Sequence, residues 1–185
     1  QGLDLRALQE KSAATLVKQH SRKVRLVWMD ARSLSSNRVI RRLRSLSTSS
    51  LVVVVTERGA KRGGVEIKKL KKLKNKITGL VLGGTQISGG DLRRLKGFSR
   101  LQELHLWRTT IGDDGLSHLR GLSRLRVLDL SGTRITDGSA STLARFRRLE
   151  SLNLASTRCG DSMLKTLARL PRLVALDLSG TSISD

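Results

Sequence analysis

The side chains here that could carry out chemistry at a fixed point are few. His20, His105 and His118 are scattered along the chain. They have none of the short spacings that gather ligands around a metal ion, so no metal site is expected. Cys159 is the single cysteine, which excludes an internal disulfide framework and a cysteine-based zinc site. It falls where an apolar residue is otherwise found, and a small buried residue suits that place better than a reactive thiol. No P-loop, dinucleotide-binding glycine pattern or nucleophile elbow is present. Gly83-Gly84-Thr85 imitates a phosphate loop, but Ser131-Gly132-Thr133 and Ser179-Gly180-Thr181 repeat it at the same place in the pattern, as a turn after a strand would. The expectation is a non-enzyme that needs no cofactor and binds no small-molecule substrate.

The abundant chemistry is cationic. Lys and Arg number 36 against 15 Asp and Glu, a net charge of +21. The excess is concentrated: residues 22–76 carry seventeen basic and three acidic side chains, a net of +14, while residues 77–185 carry sixteen and ten, a net of +6. Solubility does not require so one-sided a segment, and it predicts attraction to a polyanion. Aromatic residues make up only 2% of the chain. Stacking on single-stranded bases wants several rings, whereas contact with a phosphate backbone wants only Lys and Arg. Trp28 lies in an apolar stretch and is expected in the core.

The elements that must position these charges are set by a repeat. Four units of 24 residues run Ile77–Arg100, Leu101–Arg124, Leu125–Arg148 and Leu149–Arg172, and a fifth begins at Leu173. They share LxxLxLxxTxIxDxxLxxLxxLxR. Leucines such as Leu104 and Leu106 alternate with polar residues, the period of a strand with one buried face. The column Thr85, Thr109, Thr133, Thr157 and Thr181 follows, placed to bond the backbone of the next layer. Asp113, Asp137 and Asp161 then read as N-caps of short helices. Before residue 77 the same grammar is degraded. Val24–Met29 and Leu51–Val55 read as strands, and Asn37–Leu46 and Val65–Lys74 as helices. The organisation expected is a capping helix over residues 1–21, degenerate basic repeats over 22–76, and regular repeats over 77–185. Starting at Gln1 and stopping inside a unit, the chain reads as a processed or truncated piece.

Leu101–Gly115, LQELHLWRTTIGDDG, resembles the leucine-rich-repeat family in the subtype with Thr-x-Ile-x-Asp-x-Gly-Leu after the strand. The resemblance covers residues 77–185, with Cys159 in place of Ile and Gly89 in place of Asp. It implies an α/β solenoid: a right-handed superhelix with a parallel sheet on the concave side and helices on the convex side. Most such solenoids bind proteins.

On that fold the basic groups sort themselves. Arg38, Arg41, Arg42 and Arg44 fall on one helix, Lys68, Lys69, Lys71, Lys72 and Lys74 on the next, and Arg93, Arg94 and Lys96 on the third. Lys61 and Arg62 lie in a glycine-rich loop beside them. Arg100, Arg124, Arg148 and Arg172 each end a repeat and form a ladder along one edge, although repeat duplication copies a charge whether or not it is used. The concave positions Glu103, His105, Trp107, Asp129, Asn153 and Asp177 are mixed to acidic, a surface for a protein partner. The function expected is a scaffold contacting RNA, ribosomal RNA first, through the basic convex face and the arginine edge, within a ribonucleoprotein such as a mitochondrial ribosome or its assembly intermediate, beside neighbouring proteins. The alternative is a recognition subunit or adaptor using the concave face. An intracellular and mitochondrial location is expected, with no membrane partner, because no apolar run approaches the ~20 residues of a membrane span.

Overall fold

A computed structural model describes residues 24–30, 36–56 and 67–184. The expected capping helix over residues 1–21 lies outside the described residues, as do Lys61 and Arg62.

Seven strands form one parallel sheet in the order of the sequence: β1 (Val24–Asp30), β2 (Ser50–Thr56), β3 (Ile77–Val81), β4 (Glu103–His105), β5 (Val127–Asp129), β6 (Ser151–Asn153) and β7 (Ala175–Asp177). Register follows the 24-residue period. Leu80, Leu104, Leu128, Leu152 and Leu176 are partners in succession across β3 to β7. Between β2 and β3 the spacing is longer, and a bulge at Leu51 and Val52 absorbs the difference. The result is an α/β leucine-rich-repeat solenoid with the sheet on the concave side and the helices on the convex side.

The helical side is short and irregular. α1 (Asn37–Ser45) starts at Ser36, whose side chain accepts from the Val39 amide, and buries Ile40 and Leu43. Arg42 and Arg44 sit in its last turn, where cations complement the helix dipole. The helix expected over Val65–Lys74 is a 3-10 helix, described over Ile67–Leu73. Its apolar residues, Ile67, Leu70 and Leu73, recur every third position, and three residues per turn is the 3-10 repeat, so all three face inward. Further along come α2 (Gly89–Leu92), running into a 3-10 turn over Arg93–Leu95, then α3 (Asp113–Ser117), a 3-10 turn over Asp137–Ser139 that leads into α4 (Ala140–Leu143), and α5 (Asp161–Leu167). Leucines from both sides fill one continuous core, with Phe98 and Phe146 as its largest buried side chains.

Two sequence expectations are corrected. The threonine hydroxyls do not reach the next layer. Each of Thr85, Thr109, Thr133, Thr157 and Thr181 donates to the carbonyl three residues before it, at 2.5–2.7 Å. Backbone amides join the layers there instead, such as Leu106 N–H to the Asp129 carbonyl at 2.8 Å. The aspartates are not N-caps either. Gly112, Thr136 and Gly160 hold those positions, and each Asp is the first helical residue. Its carboxylate accepts from the following layer: Asp113 from the Thr136 amide and from the hydroxyls of Thr136 and Ser139, Asp137 from the Gly160 amide, and Asp161 from the Ser184 amide and hydroxyl.

The turn after each strand needs one residue in the left-handed region. Gly84, Gly132 and Gly180 supply it at φ 63–68°, while Arg108 (φ 52°) and Ser156 (φ 54°) adopt it at the same repeat position with a Cβ present.

Candidate functional site

The basic groups of the first three helical segments share one surface. Arg38, Arg41, Arg42 and Arg44 on α1 are exposed, as are Lys68, Lys71 and Lys72 on the 3-10 helix, with Lys69 and Lys74 half-buried. Arg93, Arg94 and Lys96 follow, all exposed. α1 packs against the Ile67–Leu73 helix, and that helix against Arg93–Leu95, so the three sets of cations lie side by side. Lys69 Nζ donates to Asn37 Oδ1 at 3.3 Å. Lys76 Nζ donates to the carbonyls of Arg44 and Leu46, tying the end of α1 to the next layer. Among the described residues of these elements the one carboxylate is Asp91, and it is occupied by the helix start at Ser88 and by Arg94 at 3.6 Å.

The arginine edge is also built as the repeat places it. Arg124, Arg148 and Arg172 are exposed, and half-buried Arg100 reaches the Asn75 carbonyl at 3.3 Å. The sequence reading missed a member of this edge, Arg126. Its guanidinium meets Glu150 in a paired geometry, 2.9 Å to Oε1 and 2.7 Å to Oε2. The pair places Glu150 on the same edge. The signal was present, because the two residues stand 24 apart and therefore face each other across adjacent layers. Gln102, Arg124, Arg126, Arg148, Glu150 and Arg172 together line a groove of about 320 Å³.

The concave surface departs most from expectation. Glu103, His105 and Trp107 were expected to be open to a partner, and the structure buries all three. Their side of the sheet carries a second apolar cluster, Val52, Val54 and Val81 with Leu26 against it. Burial raises the Glu103 carboxyl to about 8, and the charge of Arg126 lowers it only in part. The Trp107 ring occupies the place where a side chain at Gly83 would stand: a Cβ built there would come within 2.2 Å of Cε2. The phosphate-loop lookalike is thus the seat of an indole. Trp28, expected in the core, is 41% exposed on β1.

The remaining concave positions are engaged in local bonds. Asp129, Asn153 and Asp177 each accept the backbone amide two residues on, at 2.8–3.0 Å, and the hydroxyls of Ser131 and Ser179 join the two aspartates. This is the Asx-turn chemistry that closes a strand. Asp129 Oδ2 also lies 3.7 Å from His105 Nδ1. Burial works to raise the Asp129 carboxyl, but the His105 and Ser131 interactions outweigh it and leave it below the usual range. Asp129 and Asn153 are half-buried and Asp177 is exposed, so the β5–β7 part of the concave surface is open.

Cys159 is fully buried, and burial pushes its thiol up. Among the described residues there is no group of three or more His, Cys, Asp or Glu placed to hold a metal ion, and no helix long and apolar enough to cross a membrane.

Residues 99–158 match the family model described as leucine rich repeat. No curated protein matches the chain significantly. Among solved structures, an internalin C2 from Listeria monocytogenes is similar, at 28% identity and a TM-score of 0.59 over 77% of this chain and 57% of that one. A second internalin from the same organism is 22% identical, with a TM-score of 0.55 over 81% of this chain and 40% of that one. The chain therefore spans about half the length of these solved chains. The period in the sequence, the parallel ladder it builds and both comparisons agree on a leucine-rich-repeat solenoid, with the family's repeats matched over residues 99–158.

Proposed function

We propose that this chain is a non-catalytic interaction scaffold that meets RNA through its convex basic surface, as a structural component of a ribonucleoprotein. One observation carries the reading: three successive helical segments present Arg38 to Lys96 side by side with Asp91 as the single carboxylate among their described residues. Such a field attracts a phosphate backbone without regard to base identity. The placement of the aromatic residues favours the same mode. Trp107 is buried, which leaves Trp28 as the one exposed indole and too little surface for base stacking.

Salt dependence tests the proposal. Each phosphate contact releases counterions, so log affinity for a structured RNA falls with log salt by roughly 0.7–0.9 per contact. Reversing Lys68, Lys69, Lys71 and Lys72 to Glu is expected to abolish tight binding, while Asp129→Asn and Asp177→Asn leave it intact. The slope is read by fluorescence anisotropy between low and physiological salt. A flat slope, or loss in the aspartate variants rather than the lysine variant, overturns the reading. A second reading, a protein partner in the concavity, is favoured by the open strip of Val127, Ser151, Asn153, Ala175 and Asp177, and a flat slope would leave it standing.

A further inference from the structure

Arg124, Arg148 and Arg172 hold one repeat position in three successive layers, and all three are exposed. With Arg126 they surround a single groove that contains one carboxylate, Glu150. That carboxylate is committed to Arg126 through both oxygens. Its carboxyl is held below the usual range first by the Arg126 hydrogen bond and further by the charges of Arg126 and Arg172. Arg124, Arg148 and Arg172 make no hydrogen bond or ion pair among the described residues. Strands in neighbouring layers lie about 4.8 Å apart, so these guanidinium groups stand in a row at short range. Like charges at that distance repel by up to roughly 1 kcal/mol per pair in water, and Glu150, already paired with Arg126, offsets it only in part through its attraction to Arg172.

The ligand class follows from charge and shape. A lone carboxylate on a guanidinium is what Glu150 and Arg126 already make, and it leaves three cations over. A row of cations matches a row of anions. Phosphate oxygens accept the forked donors of arginine, two bonds at a time, and linked phosphates carry charge at every link. We propose that the groove between Arg124, Arg148 and Arg172 is a discrete site for linked phosphate groups, with Glu150 as a built-in competitor that holds Arg126 back from the ligand. The proposal deepens the reading of the arginine edge as an anion contact, and it is separable from the convex surface.

The probe is tripolyphosphate, titrated calorimetrically into the full chain at low salt. One-to-one saturable binding is expected. The triple variant Arg124→Gln, Arg148→Gln, Arg172→Gln should lose at least tenfold in affinity. Glu150→Gln should bind several-fold tighter, because it removes a negative charge and releases Arg126. Neutralising Lys68, Lys69, Lys71 and Lys72 to Gln should change affinity by less than about twofold. These side chains are exposed or half-buried, and circular dichroism confirms that each variant is folded. Non-saturable binding, an arginine variant that binds like the parent, or a lysine variant that loses as much would each overturn the site. An unchanged or weaker Glu150→Gln would overturn the competitor. Repeating the titration with a short single-stranded RNA identifies the source. A loss in the arginine triple variant for both probes assigns the groove to a nucleic-acid backbone, and a loss for tripolyphosphate alone assigns it to a free oligophosphate. If RNA binding depends on the lysines while tripolyphosphate fails to bind, the convex reading stands and this site falls.

Discussion

Glu103 sits on the middle strand of the sheet at 3% exposure, with its carboxyl raised to about 8 from an ordinary 4.5. Desolvation is the first cause, and Arg126 opposes it only in part. Between pH 4.5 and 8 the folded chain therefore keeps a proton that the unfolded chain has released. The folded state binds more protons there, so stability falls as pH rises through that window, by up to about 1.4 kcal/mol per pH unit. Asp129 and Glu150 are held below the ordinary range, so their contributions are lost only at more acid pH. Glu103→Gln is expected to flatten the decline between pH 5 and 8 and to leave the variant more stable than the parent at pH 8. Urea denaturation across that range checks it, and parallel profiles for the two chains would refute it. Alternation along β4 marked Glu103 as outward but could not mark it as buried. The clue lay two strands away. Leu51–Val55 is apolar at every position, the mark of a strand covered on both faces, and Glu103 and His105 share one side of the sheet with Val52 and Val54.

At the scale of the element, the period was legible and the partners were not. Every strand of β3 to β7 falls where the leucine pattern places it, because alternation and a 24-residue interval fix face and register together. The role of the aspartates was hidden because their partners come from the following unit. Asp113 accepts from Thr136 and Ser139, 23 and 26 residues on, and nothing within one unit distinguishes that role from capping its own helix. Helices of four to seven residues are too short to stand alone, and these cross-layer bonds hold one helix start to the next. Asp113→Ala removes three acceptor contacts and leaves the Thr136 amide unsatisfied. A loss of about 2–3 kcal/mol is expected, against less than about 1 kcal/mol for Asp114→Ala, whose side chain is exposed one residue away. Equal losses at the two positions would show that the first-turn charge matters and the cross-layer bond does not.

At the scale of the whole molecule, each strand pairs only with the strands before and after it. Stability is then close to a sum of layer terms and nearest-neighbour terms, and it need not be uniform along the stack. Burial falls toward β7. All of β4 is buried, whereas Ala175, Leu176 and Asp177 are exposed and Val174 is 87% exposed. Two amides isolate the consequence. Val127 donates to the Gln102 carbonyl and Ala175 to the Glu150 carbonyl, both at 3.0 Å and at equivalent places in the repeat. The hydrogen bonds match, so a difference in exchange rate reports the surroundings and not the bond. In the 185-residue chain β7 is covered on its β6 side, and this layer should open independently of the rest. In the 185-residue chain Ala175 is expected to exchange at least tenfold faster than Val127, once intrinsic rates are divided out, a gap of about 1.4 kcal/mol in local opening. Hydrogen exchange followed by NMR resolves both amides. Equal protection would mean that the stack opens only as a unit, and the nearest-neighbour description of this solenoid would have to be given up.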